Sequence, residues 1–367
     1  MLQPRLEKFR KILKEKNIDA FLVSNFYNIL YLSGFKTLVD NEREAWLLVT
    51  TKQAYLFTDS RYVNDKSVIN NGLLITKLLS SEKGLIKHLH EIIAEKKIKT
   101  VGVEADDLKL VEFQNFTQYL KEVRLIGTER LVAKQRELKD ETEIESIGKS
   151  CRIADECLTE IVKTIKVGQT EKEIAFKMEF WLKEKGYDLA FYPIVAVDEN
   201  SALAHYDTRA DGGKKVKNGS LVLIDFGAKY KDYLSDITRM VFVGKTSDKV
   251  INTYNKLLDA QTKTIKQCSN ITMLKDLDLY CRKLLAGHSP FFAYSHSTGH
   301  GVGLEIHEYP KLAPLSTDQK SPGQIVTIEP GVYFEGIWGM RIEDTVLINN
   351  KGSAETLTGF NKKPLIL

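Results

Sequence analysis

The sequence predicts two domains in series: an α/β domain with a mixed sheet over residues 1–127, and an α+β domain over residues 128–367 whose helices pack on one face of a curved antiparallel sheet. Three observations carry that expectation. The chain has 367 residues, and at ~150 residues per domain this length allows two separate cores. Short β-rich runs alternate with charged amphipathic stretches as far as a hinge near Gly127-Thr128, the pattern of an α/β layer. Beyond the hinge, helical patterns accompany strands joined by short turns, which pair as antiparallel hairpins.

In the first domain the strands are expected at Ala20–Val23, Ala45–Val49, Ala54–Phe57, Leu73–Ile75 and Thr100–Val103, with helices at Leu6–Lys16, Glu82–Ala94 and Leu108–Val123. No cluster of catalytic residue types stands out among them. In the second domain Asp140-Glu141-Thr142-Glu143 reads as a capping box. Behind it Ile144, Ile147, Cys151, Ala154, Leu158, Ile161 and Ile165 recur at steps of three and four, one apolar face of a helix running to about Gly168. Thr170 with Glu173 opens another helix, which Gly186 closes, and two more are expected over 247–266 and 273–285. Strands follow at Leu221–Gly227, Leu234–Val243, Gln324–Phe334 and Met340–Ile348.

Composition narrows the function. Lys plus Arg number 53 against 49 Asp plus Glu, a net charge of +4, which leaves no basic footprint for nucleic acid. Lys214-Lys215 fits a solvated turn. No run approaches the ~18 apolar residues of a membrane span, and the charged start Met1–Lys8 lacks the apolar core of a signal peptide. The four cysteines, Cys151, Cys157, Cys268 and Cys281, form no C-x-x-C pair and fit buried thiols in a reducing compartment. The cytoplasm is the expected location.

The chemistry concentrates in two hairpins. A turn centred between Tyr230 and Lys231 sets Asp225 directly across from Asp236, with Cβ atoms ~5 Å apart, where like charges destabilise. A turn at Gly336 sets Glu329 opposite Glu343. One such pair is most simply two solvated side chains on an outer sheet face. Two pairs, each embedded in β-branched residues, favour a cation between the acids. Between the hairpins lie His296, His300 and His307, with Gly299 and Gly301 on both sides of His300, and glycine permits close backbone approach. A lone histidine is more often a core residue, but three in twelve positions make that reading weaker. Carboxylates with one imidazole suit Mn²⁺ or Co²⁺ and accept Zn²⁺ or Fe²⁺, and this many acidic donors suits two ions ~3.5–4 Å apart. Other motifs fail: His307-Glu308 begins like H-E-x-x-H, but Lys311 stands where the second histidine belongs and Pro310 breaks the helix. Gly299-His300-Gly301-Val302-Gly303 has Leu304 where a dinucleotide loop needs its last glycine.

Taken together, Asp225-Phe226-Gly227-Ala228, Ser235-Asp236-Ile237-Thr238-Arg239, His296-x-x-Gly299-His300-Gly301, Thr327-Ile328-Glu329-Pro330-Gly331 and Met340-Arg341-Ile342-Glu343-Asp344 resemble the X-prolyl metallopeptidases, the prolidase and aminopeptidase P family. Tyr31-Leu32-Ser33-Gly34-Phe35 and Thr58-Asp59-Ser60-Arg61-Tyr62 resemble that family's creatinase-like N-terminal domain. The resemblance implies a pita-bread catalytic fold. It implies Asp225, Asp236, His300, Glu329 and Glu343 as metal ligands, with Asp236 and Glu343 bridging two divalent ions, Asp225 on one ion, and His300 and Glu329 on the other. Mn²⁺ is the first expectation, with Co²⁺ or Zn²⁺ as alternatives. The ions would activate a bridging water, Glu329 would take and pass on its proton, and His205 and His307 would position substrate and stabilise the tetrahedral intermediate. Arg341 and His296 would line the site and help bind the peptide, Arg341 counting among the catalytic residues. The partners implied are short proline-containing peptides cut at the Xaa–Pro bond and a second copy forming a homodimer, with neither nucleic acid nor membrane. The N-terminal domain would exclude long or folded substrates.

The pattern departs from the family at Val197-Asp198-Glu199-Asn200, where a small Ser-Gly pair is usual, and at Ala204, where proline is frequent. The choice between dipeptidase and aminopeptidase stays open at this level: a dipeptidase must recognise a free carboxylate beside proline, through Arg341 or a basic residue of a neighbouring chain. Methionine aminopeptidase shares the catalytic fold but fits the fused N-terminal domain poorly. A non-catalytic peptide-binding relative, or a metal-free hydrolase of the creatinase type, would be expected to lose ligands, and all five are present.

Overall fold

A computed structural model of the chain describes residues 2–39, 42–62, 72–286 and 296–367. Contacts divide it into two compact units, Met1–Arg136 and Glu137–Leu367. The division falls beyond the hinge expected at Gly127-Thr128, because the strand and helix that follow Val123 stay with the first unit. The first unit holds helix α1 (Leu2–Glu15), strand β1 (Ala20–Val23), α2 (Phe26–Ser33), β2 (Ala45–Thr50), β3 (Ala54–Asp59), β4 (Leu74–Leu79), α3 (Leu85–Lys96), β5 (Thr100–Glu104), α4 (Leu110–Tyr119), β6 (Arg124–Thr128) and α5 (Leu131–Arg136).

Its sheet is mixed, in the order β4-β3-β2-β1-β5-β6. β1 and β2 pair antiparallel, whereas β1–β5, β5–β6 and β3–β4 are parallel. β1 and β2 are buried along their whole length, which explains their unbroken apolar runs in place of alternation. On one face Leu22, Trp46, Leu48 and Phe57 pack with Leu89, Ile92 and Ile93 of α3 and Phe116 of α4. α5 is tied back to this unit by Gln135, whose amide donates to the Arg5 carbonyl at 2.9 Å, and by Arg136, which donates to Asn28 Oδ1 at 2.8 Å.

The second unit opens with α6 (Glu141–Val162) and α7 (Glu171–Glu184), followed by β7 (Asp188–Leu189) and β8 (Ile194–Val197). After a 3₁₀ turn over Asp198–Ala202 come α8 (Thr208–Asp211), β9 (Leu221–Phe226), β10 (Ala228–Tyr230), β11 (Tyr233–Leu234) and β12 (Ile237–Phe242). Then follow α9 (Asp248–Gln267), α10 (Leu274–Ala286), β13 (Gly299–Gly301), β14 (Glu308–Leu312), β15 (Ile325–Ile328), β16 (Gly331–Phe334), β17 (Trp338–Arg341), β18 (Asp344–Ile348), β19 (Ala354–Thr356) and β20 (Leu365–Ile366). α6 begins with the expected reciprocal cap, Asp140 Oδ1 accepting from Glu143 N at 2.9 Å and Glu143 Oε2 from Asp140 N at 3.0 Å. It ends at Val162, short of the Gly168 that the apolar pattern reaches. Ile165 stays buried, but the backbone there has left the helix: Gly168 N bonds to Val216 O and Val216 N to Gln169 O.

Two sheets form the frame, one ordered β20-β12-β9-β8 and the other β14-β13-β15-β18-β19. Val222, Ile224 and Phe226 of β9 face a core shared with α6 and α7. Leu221 and Leu223 face a second core with Tyr254 and Leu257 of α9, Cys281 of α10 and Val332 and Met340 of the β16–β17 hairpin. β9 is therefore covered on both faces. All four cysteines are buried thiols.

The first hairpin turns one residue later than expected. Lys231 and Asp232 carry positive φ values of 49° and 67°, the pattern of a two-residue type I′ turn. Asp225 accordingly pairs with Thr238, in place of Asp236. The shift moves the register by two positions, and because side chains alternate with period two, Asp225 and Asp236 remain on one face as diagonal neighbours. The second hairpin has the expected register, Gly331 opposite Arg341 and Ile328 opposite Asp344, which sets Glu329 against Glu343.

Asp140→Ala removes the side-chain half of the α6 cap and should cost about 1 kcal/mol, lowering the calorimetric midpoint of this unit by about 2–4 °C. Asp140→Asn, which caps equally well, should leave it nearly unchanged.

Candidate metal centre

The acids of the second hairpin sit where it splays. Pro330 has no N–H to give the ladder, and the pairing breaks between β15 and β16 on one strand and between β17 and β18 on the other. Glu329 N turns away to bond with Thr298 O at 2.9 Å, and Glu343 N bonds with Thr238 O at 3.2 Å. One acid is thus fastened towards the histidine-bearing strand β13 and the other towards β12. Asp225, near the end of β9, and Asp236, just before β12, reach the same place from the other sheet. His300 is at the centre of β13, where a Cβ on Gly299 or Gly301 would lie 2.0 Å from Thr327 O or 2.2 Å from Tyr309 O, so only glycines let the neighbouring chain approach.

Ligand atoms of Asp236, His300 and Glu343 lie within 4.8 Å of one another. His300 Nε2 is 3.2 Å from Glu329 Oε1 and 3.7 Å from Asp236 Oδ2. The other His300 ring nitrogen, Nδ1, is 3.1 Å from the Gly301 carbonyl, an arrangement that directs Nε2 into the site. Among the described residues, Asp225 Oδ1, Asp236 Oδ1 and Glu343 Oε1 are buried without a hydrogen-bond partner. Orphaned carboxylate oxygens are costly in a protein interior.

The electrostatics follow from that crowding. Burial, then Glu343, Asp225 and Glu329, push the Asp236 carboxyl far above its ordinary range. Burial, then Glu329 and Asp225, do the same to Glu343. Burial raises Asp225 as well, against the opposing charge of Arg341. Burial also acts on Glu329, but the hydrogen bond and charge of His300 outweigh it and hold this group at about 2. Burial works against protonation of His300, yet Glu329 raises it overall. An oxygen-rich set of acids that cannot all ionise together, with one imidazole, fits hard or borderline divalent cations.

A ring of polar groups holds these acids. Arg341 pairs with Asp225 and donates from Nε to Thr238 Oγ1 at 3.1 Å, and from its other terminal nitrogen to Tyr333 Oη at 2.8 Å and Ala204 O at 3.3 Å. Thr238 Oγ1 in turn donates to Glu343 Oε2 at 2.7 Å. Because Arg341 can only donate, the Tyr333 oxygen accepts from it and turns its proton to His296 Nε2, 2.9 Å away. His296 Nδ1 then carries the ring proton and donates to Ser297 O at 2.8 Å. Burial holds His296 below its ordinary value, and burial followed by His300 pushes His307 down to about 4.

A pocket of about 500 Å³ brings together every site residue expected from sequence: His205, Asp225, Asp236, His296, His300, His307, Glu329, Arg341 and Glu343. Phe191, Ile194 and Ile306 add apolar wall, and Lys311, cross-strand from His300, adds a cation. Thr238, Tyr333 and Lys311 were not foreseen. Thr238 carried a usable signal, standing two residues from Asp236 on the same strand face. The unusual loop Val197–Asn200 is held in the scaffold: buried Glu171 accepts from Val197 N at 2.7 Å and Asn200 Nδ2 at 2.9 Å, and Asp198 accepts from Leu221 N at 3.0 Å. Ala204 and His205, further on, line the pocket.

Comparison with known proteins gives the same picture. The profile of Metallopeptidase family M24 matches residues 145–350, and that of the Creatinase/Prolidase N-terminal domain matches residues 5–138. An Xaa-Pro dipeptidase of Pyrococcus furiosus is 33% identical over 366 residues, covering 99% of this chain and 100% of the relative. Among solved structures, an Xaa-Pro dipeptidase from Bacillus anthracis superposes with a TM-score of 0.88 at 32% identity over 100% of both chains. An X-Pro aminopeptidase from Thermotoga maritima gives 0.87 at 32% identity over 99% of each chain.

The raised groups fix a sign for pH dependence in protein stripped of divalent cations. Asp236, Glu343 and His300 bind protons more tightly folded than unfolded, so the stability they contribute is full at low pH and is lost as pH rises through their raised values. As pH rises through those raised values, the thermal midpoint of stripped protein should fall relative to that of protein saturated with Mn²⁺. A gap between the two midpoints that does not widen with pH would contradict the assignment.

Proposed function

The chain belongs to metallopeptidase family M24, and on that premise we propose that it hydrolyses the Xaa–Pro bond at the amino end of dipeptides or short peptides, with two divalent cations held by Asp225, Asp236, His300, Glu329 and Glu343. The observation that carries this reading is the convergence of three buried, unpartnered carboxylate oxygens, from Asp225, Asp236 and Glu343, on the pocket that His300 faces. Such a donor set has no use without cations. Bound there, the ions would supply Lewis-acid activation of water and of the scissile carbonyl.

The remaining steps belong to the chain. Glu329, whose Oε1 lies 3.2 Å from His300 Nε2, takes the proton of the attacking water and delivers it to the proline nitrogen as the bond breaks. His307, kept neutral, and His205 offer ring N–H groups to the carbonyl oxygen as its negative charge develops. Tyr333 and Arg341 keep Asp225 and His296 in place.

The geometry favours dipeptides. Arg341, first in line to receive a terminal carboxylate, already has all three nitrogens engaged, with Asp225, Thr238, Tyr333 and Ala204 O. Lys311 lines the same pocket with its ammonium over the Tyr309 ring, 5.3 Å from the centroid, and we assign it the carboxylate of the proline residue. Mn²⁺ is the proposed metal, on the oxygen-rich donors. The cytoplasm is the proposed location, on the four reduced cysteines. The homodimer rests on family resemblance, and light scattering in solution decides it.

Chelator-treated protein reloaded with Mn²⁺ should cut an Xaa-Pro dipeptide better than the same dipeptide amidated at its carboxyl end. Lys311→Met should raise KM for the free dipeptide about tenfold, the scale of a lost charged contact, and leave the amide unaffected. Cleavage of neither substrate by fully loaded protein would overturn the proposed activity. Glu329→Gln should lower kcat by about 10²–10⁴, the range for a lost general base, as read in single-turnover hydrolysis.

A further inference from the structure

Asp278 lies on α10, and no part of it lines the pocket, yet it is fully buried and fully paired. Its Oδ1 accepts from Thr298 N at 3.0 Å and from Thr298 Oγ1 at 2.8 Å. Its Oδ2 accepts from Arg282 Nε at 2.7 Å, and a second Arg282 nitrogen reaches Oδ1 at 3.1 Å. Arg282, one helical turn further along, also donates to the His296 carbonyl at 2.6 Å. The helix therefore grips the strand segment at two points, four and two residues ahead of His300. The gripped residue holds one thing more: the Thr298 carbonyl accepts from Glu329 N at 2.9 Å.

Apolar contacts could have seated this helix, and Leu274 and Leu277 already do so against Leu312 and Val326. A buried carboxylate with a forked arginine adds direction, because charge-assisted bonds fix distance and angle where packing does not. Its reach is one-sided. Asp225 and Glu343 are held by Arg341 and Thr238, and Thr345 Oγ1 donates to the Asp236 carbonyl at 2.8 Å. None of these contacts is made by α10 itself, whose link to them runs indirectly from His296 through Tyr333 and Arg341 to Asp225.

We propose that Asp278 and Arg282 are positioning residues for one half of the metal centre, setting His300 and Glu329 directly, while Asp225, Asp236 and Glu343 are held in the first place by Arg341, Thr238 and Thr345. The proposal rests on the two-cation reading given above. It requires the two cation-binding steps to respond differently when the grip is loosened.

The test is calorimetric titration of chelator-treated full-length protein with Mn²⁺, for the wild type and Asp278→Asn, with Xaa-Pro hydrolysis followed in parallel. One binding step should weaken by at least about tenfold, the usual scale for loss of a group behind a ligand, while the other changes less than about twofold on that scale. kcat should fall more than KM rises. Thr298→Val should weaken the same step, and Thr298→Ser, which keeps the hydroxyl, should restore it. If Asp278→Asn does not fold, Arg282→Met, at a partly exposed position, is read by the same criterion. Equal weakening of both steps, no weakening, or a wild type that binds one cation would each overturn the proposal. Selective weakening in a protein that cuts no Xaa-Pro peptide would uphold the positioning role and sink the peptidase reading.

Discussion

Repulsion among Asp225, Asp236, Glu329 and Glu343 is the interaction to which the rest of the catalytic unit answers. Two like charges about 5 Å apart repel by about 3 kcal/mol at an effective dielectric of about 20, and here several such pairs share one buried pocket. One guanidinium and one imidazole stand against them inside the pocket's inner wall. Left to relax, flexible side chains would turn these acids towards water. The fold prevents that by setting them at strand ends and breaks, with Asp225 paired in β9, the Glu329 and Glu343 N–H groups bonded to Thr298 and Thr238, and the Asp236 carbonyl held by Thr345 Oγ1.

The break at Glu329-Pro330 shows how sequence, geometry and chemistry connect. A residue without an N–H interrupts the ladder, the freed backbone of Glu329 bonds to Thr298, and that of Glu343 bonds to Thr238. The acids end up in the seam between two sheets. Cation binding there depends on the relative placement of β12 and β13, which explains the density of polar contacts around them. Arg239 is an example: fully buried, it donates to the Glu343 carbonyl and at 2.7 Å to Asp344 Oδ1, and Lys362 and Gln261 meet the same carboxylate.

Much of this was legible in the sequence where the signal is local. The caps at Asp140 and Thr170, the apolar face from Ile144 to Ile161 and the register of the hairpin at Gly336 follow from period and turn chemistry, and each is present. The N-terminal sheet was legible in five of its strands. β6 escaped because it is short, half-exposed and follows a helix, and α2 because its eight residues, apolar but for Asn28 and Ser33, show no polar face. The first turn was misplaced because Lys231-Asp232 lacks the glycine that usually marks positive φ. Tyr333, Lys311 and Asp278 gain their meaning from partners on other strands and helices, and no spacing rule along one chain reports such partners.

The Lys231-Asp232 turn also bears on how this sequence can change over generations. If the turn keeps its two-residue form, inserting one residue there would reverse which side of the sheet Asp225 presents relative to Asp236. Inserting two would slide the strands and leave both on the same side. Heritable length variation at this turn should therefore come in even steps, whereas the turn residues, which do not enter the pocket, need only tolerate positive φ. Relatives that gain or lose a single residue at this position would need a compensating bulge nearby. The gene would then preserve a parity where it preserves no particular amino acid.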